Sequence, residues 1–155
     1  PEGGEADFTV EFQLRKSIHR PRSGDAYDLR PTLRLVDNVH VGHLRGTVGG
    51  GYVADRCSGG AGNGLAVYVY AGANQTPVDV DGAEPDPVTS ARAELDNGSG
   101  DYAYAVGYLP KGSYTVAFTC NAKDDDPGTK DDIGLLDAAN VEVTAGETAT
   151  HDFSL

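Results

Sequence analysis

Hydrophobic and polar positions alternate along much of this chain. From Asp7 to Leu14 the alternation is strict, and it places Phe8, Val10, Phe12 and Leu14 on one face of a strand. A second run, Asp28 to Val36, keeps Leu29, Leu33 and Leu35 in phase. Pro31 interrupts it and predicts an edge position or a bulge, because proline cannot donate to a sheet. Between the two runs, Ser17 to Tyr27 reads as a basic loop containing Pro and Gly.

Further strands are predicted at His40–Val48, Leu65–Tyr70, Val88–Leu95, Tyr102–Tyr108 and Ser113–Cys120. In the last of these, Tyr114, Val116, Phe118 and Cys120 share a face. Asp96-Asn-Gly-Ser-Gly-Asp101 reads as a hairpin turn, with Asn97-Gly98 expected to take the positive φ of a tight turn. Leu109-Pro-Lys-Gly112 is a second turn. Asn140–Thr144 and Glu147–Leu155 form a closing hairpin about Ala145-Gly146. Only Ile133 to Ala139 suggests a helix, and it is too short to stand alone. Many short strands with Gly-rich turns predict an all-β fold, an antiparallel β-sandwich.

Composition agrees with this pattern. The chain has 155 residues, with 21 Gly and 8 Pro as turn punctuation. Its net charge of -12 argues against a nucleic-acid backbone or an anionic membrane surface as partner. No apolar run approaches the ~18 residues of a membrane span, and the opening residues do not read as a signal peptide. The charge is uneven. Residues 1–56 carry 8 basic and 8 acidic groups, whereas residues 57–155 carry 4 basic and 16 acidic groups. Such asymmetry suggests two parts with different surroundings.

Two stretches add a resemblance. Tyr102, Tyr104, Tyr108-Leu-Pro110, Gly112, Tyr114, Val116 and Phe118 resemble the repeat of carboxypeptidase-regulatory-like, transthyretin-like (prealbumin-like) sandwich domains. Gly42, Gly46, Val48, Val67 and Val69 look like that family's first strands, and Val143 to Leu155 looks like its last hairpin. Upstream, Ala6 to Ser17 and Leu29 to Asp37 look like the C-terminal part of bacterial lipoproteins of the domain-of-unknown-function 4382 family. That resemblance implies an exported setting, extracellular or on the cell surface of a bacterial envelope, and no established activity. It divides the chain into residues 1–38, the trailing two strands (a β-hairpin) of a preceding β-domain, and residues 39–155, the transthyretin-like sandwich. The chain then reads as a piece of a longer protein. Its apolar hairpin face needs a partner through residues 7–36, either that preceding domain or a second copy.

Candidate chemistry is sparse. Cys57 and Cys120 are the only cysteines, and in an exported sandwich they read as a disulfide; two buried thiols are the alternative. Asp124, Asp125, Asp126, Asp131 and Asp132 place 5 carboxylates within 9 residues. Asp79, Asp81, Glu84 and Asp86 place 4 within 8. Calcium is the one cofactor these loops suggest, although neither has EF-hand spacing and a solvated acidic loop is the plainer reading. Tyr68 and Tyr70 alternate with core-facing Val67 and Val69. They would turn outward to stack on a glycan or apolar surface partner, or pack under the loop from Gly72 to Pro87. His40 and His43 fall on opposite faces and cannot easily share an ion. No nucleophile elbow, phosphate loop or zinc-protease motif occurs. The reading is a non-catalytic secreted or cell-surface module, structural, adhesive or accessory, with binding of carbohydrate or calcium as the alternative.

Overall fold

The structure is a computed structural model that describes residues 6–21 and 26–155. Residues 1–5 and 22–25, the latter at the centre of the expected basic loop, lie outside the described residues. In chain order the elements are β1 (Phe8–Phe12), α1 (Leu14–Ser17), β2 (Ile18–His19), β3 (Asp28–Leu29), β4 (Leu33–Asp37) and β5 (Val41–Val48). Then come α2 (Gly50–Arg56), β6 (Ala66–Ala71), β7 (Thr89–Arg92), β8 (Glu94–Leu95), β9 (Tyr102–Pro110), β10 (Gly112–Thr119), β11 (Leu136–Val143) and β12 (Thr148–Thr150).

Two four-stranded sheets face each other. One has the order β12-β5-β9-β8 and the other β11-β10-β6-β7. Their facing side chains form the core: Leu44, Val48, Tyr104, Val106 and Leu109 from the first, and Val67, Val69, Tyr114, Val116, Phe118, Val141 and Val143 from the second. The fold is therefore an all-β sandwich, as the alternation predicts. Among the described residues every pairing of named strands is antiparallel except β12 with β5, which is parallel and continues in a parallel bridge between Val48 and Phe153.

The chain changes sheets at two places that the sequence pattern presents as continuous. Val88–Leu95 is two strands: β7 pairs with β6, β8 pairs with β9, and buried Ala93 lies at the crossing. The expected closing hairpin also divides. β11 pairs with β10, whereas β12 crosses to β5, so the two are not hairpin partners. A glycine makes that crossing possible. A Cβ on Gly46 would lie 1.7 Å from the His151 carbonyl oxygen, so only glycine lets the closing segment approach β5. The turn after β8 also differs from expectation. Gly100, not Asn97 or Gly98, carries the positive φ of 82°, and the Asp96 carboxylate accepts from the Gly98 amide.

α2 is a helix the composition argues against, since it opens on Gly50-Gly51. Packing supports it. Tyr52 and Val53 are buried in the core, and tertiary burial rather than propensity holds such short helices. Cys57 follows α2 and is bonded to Cys120 at the end of β10, with Cα atoms 5.5 Å apart. The disulfide closes a loop spanning 63 positions, for which chain entropy gives on the order of 4 kcal/mol.

The N-terminal segment lies against this sandwich. β1 and β4 form a two-stranded antiparallel ribbon, and β2 pairs with β3. Strand β1 ends at Phe12, short of the expected Leu14, which opens α1. Pro31 separates β3 from β4 as its missing amide requires. The ribbon is docked by its polar face: Arg34 pairs with Glu11 across the strands and donates to the carbonyls of Gly107 and Tyr108 in β9.

Candidate functional site

Strand β6 is apolar on both sides, and the structure shows why. Val67 and Val69 face the sandwich core, while Tyr68 and Tyr70 rise from the opposite face of the sheet into a second apolar cluster with Val80, Ala117, Ala122 and Ile133. The loops 72–88 and 120–135 cover that face. Both tyrosines are fully buried, so no ring face is open for stacking on a sugar. Tyr70 donates to the Val78 carbonyl and Tyr68 to the Asp125 carboxylate. Burial pushes both phenols well above their usual range.

The same covering loops bring three carboxylates together. Asp79 and Asp125 are buried and Asp131 is half-buried, and each offers an oxygen within 4.8 Å of the others. Asp79 comes from the first acidic loop; Asp125 and Asp131 come from the second. Backbone amides fix the arrangement. Asp125 accepts from Val80 N at 3.2 Å, Asp79 accepts from the Asp131 amide, and Asp131 accepts from Asp126 N at 2.8 Å and Thr129 Oγ1 at 3.0 Å. An open cleft of about 510 Å³, lined by Asp79, Asp131, Asp132 and Lys130 among others, leads to the cluster.

Positive charge at this cluster is thin. The ion pair made to it among the described residues is Arg15 to Asp125, at 3.9 Å. Arg15 also lies over the Tyr68 ring, 5.3 Å from its centre, and donates to the Ala122 carbonyl and Ser90 Oγ. Desolvation is the largest influence on Asp125 and raises its pKa; the Tyr68 hydroxyl, the Val80 amide and Arg15 oppose that, and Asp79 adds to it. Three carboxylates in this setting form a hard-oxygen donor set suited to a divalent cation such as calcium.

The remaining acidic residues singled out by the sequence do not join the cluster. Asp124 is exposed and accepts from Asn63. Asp126 accepts from the Arg20 amide. Asp81 and Asp132 each accept an amide in their own turns, from Ala83 and Gly134. Asp86 pairs with Lys16. Sequence reasoning missed Arg15 and the role of Tyr68. The unbroken apolar run Leu65–Tyr70 was the available signal, since a strand buried on both faces reads that way. Of the histidines, His43 stacks edge-on to Tyr108 and His151 edge-on to Phe153, at 5.8 and 4.7 Å.

Compared with known proteins, the chain matches no family model and no curated protein.

Proposed function

We propose that this chain is a non-catalytic module of an exported or cell-surface protein, a disulfide-tied β-sandwich with a structural or adhesive role. The observation that carries this reading is the Cys57–Cys120 bond between α2 and β10, since structural disulfides persist in oxidising compartments. The buried polar groups support it: the hydroxyls of Tyr68, Tyr70, Tyr104 and Tyr114 each brace a loop or strand through a hydrogen bond. The resemblance of residues 39–155 to transthyretin-like domains and of the upstream strands to bacterial envelope lipoproteins points the same way. Fractionation of the producing cells tests it. The protein is expected in the envelope or the medium, and recovery from the cytosol overturns the reading.

A second reading has its own observation. The cluster Asp79, Asp125 and Asp131 favours calcium bound between the two acidic loops, which would clamp the cover over β6. Calorimetric melts with calcium and with chelator decide it. Calcium is expected to raise the midpoint by several degrees, and Asp125→Asn to abolish the rise. A midpoint indifferent to calcium counts against this site.

A further inference from the structure

The β1–β4 ribbon is amphipathic in the reverse of the usual sense. Its register pairs Val10 with Leu35, Glu11 with Arg34 and Phe12 with Leu33. The side carrying Glu11, Arg34 and buried Val36 packs on the sandwich. The opposite side faces solvent with Phe8 54%, Val10 62%, Phe12 41%, Leu33 59% and Leu35 68% exposed. A flip that buried this face would break the Glu11–Arg34 pair and remove Arg34 from the carbonyls of Gly107 and Tyr108.

We propose that this face is a self-association surface on which a second copy of the chain packs ribbon against ribbon. Three observations select a second copy. The first is area: with at most roughly 200 Å² for each fully exposed side chain of this size, the five expose about 570 Å². Two such faces together bury about 1,100 Å², above the roughly 1,000 Å² a biological interface needs and in the range of weak, reversible association. The second is charge. The only charged residue on this face of the ribbon is Asp37, at the end of β4 opposite Phe8, so face-to-face packing leaves it at the rim. The acidic excess lies beyond residue 56, so two copies meeting through this neutral region feel the least mutual repulsion. The third is symmetry. An antiparallel two-stranded ribbon is pseudo-symmetric about an axis through its face, and a face that is apolar but for Asp37 at one end is complementary to itself in a two-fold dimer. The product is a small four-stranded sandwich, with its sheets at the usual ~10 Å spacing.

Sedimentation equilibrium on the oxidised chain tests this. The expected mass is twice 16.2 kDa at high protein concentration, falling to the monomer on dilution. Val10→Glu and Leu35→Glu place like charges on the facing surfaces and are expected to weaken association by at least about tenfold. Because both positions are exposed, far-UV circular dichroism is expected to stay unchanged. Hydrogen exchange is a second readout: amides of residues 8–12 and 33–37 gain protection as concentration rises, in the wild type alone. A monomer at every concentration overturns the proposal. A dimer indifferent to both substitutions, or concentration-dependent protection elsewhere, overturns it too. These outcomes are independent of where the protein resides in the cell.

Discussion

Tyr68 donates its hydroxyl to a buried carboxylate under two loops. Tyr68→Phe keeps the ring and removes the donor, so Asp125 loses a partner that burial makes hard to replace. The expected loss is about 1–3 kcal/mol in urea unfolding, and stability unchanged within error would show that the hydroxyl does no structural work. Gly46 is a sharper case. A methyl there meets the His151 carbonyl, and Gly46→Ala is expected to cost about 3 kcal/mol, the upper end of overpacking. Equilibrium unfolding measures it, and a loss under about 0.5 kcal/mol contradicts the close approach. Neither role is legible residue by residue. Tyr68 lies in an alternation that marks it as outward-facing, yet outward from one core proves to be inward to another. Gly46 has the spacing of a family motif, while its reason is a strand that arrives more than 100 positions later.

At the scale of elements, strands were legible where one face meets the core and the other meets water. Tyr102–Pro110 falls where alternation and turn chemistry place it, whereas Gly112–Thr119 is buried on both faces from Tyr114 onward. Legibility failed where pairing is decided by distant chain. The sheet switches at Ala93 and after β11 leave no local mark, and α2 forms against its glycines because Tyr52 and Val53 are buried. The segment just after the closing strand also yields a pH prediction. Burial holds the His151 imidazole below its usual value of 6.5, with the Asp152 carboxylate opposing this more weakly. The unfolded chain therefore takes up the proton first as pH falls. The stability this provides is present above 6.5 and is lost as pH falls through the depressed folded value. Melting midpoints between about pH 7.5 and 5.5 are expected to fall in the wild type and to fall less in His151→Gln. Parallel profiles would remove His151 from the account.

For the molecule as a whole, the two most acidic loops, 72–88 and 120–135, prove to be a cover. They fold over the outer face of β6 and β10, bury Asp79 and Asp125, and are tied to the N-terminal segment through Arg15, Lys16 and Arg20. The charge distribution along the sequence pointed to those loops, and both contribute to the carboxylate cluster. Which three of the seven suspected aspartates meet depends on how the loops cross, and that is not written locally. The disulfide anchors the same cover from below, since Cys120 opens the second loop. Reduction is expected to cost on the order of 4 kcal/mol, read as a lower urea midpoint.

Whether the chain works as an exported module is read by trapping the redox state of Cys57 and Cys120 inside the producing cell. Cells are quenched in acid, free thiols are tagged, and the mass of the protein is read. An exported module is expected to be recovered untagged, with the bond intact. A protein carrying two tags would place the working molecule in a reducing compartment and contradict the exported module proposed for it.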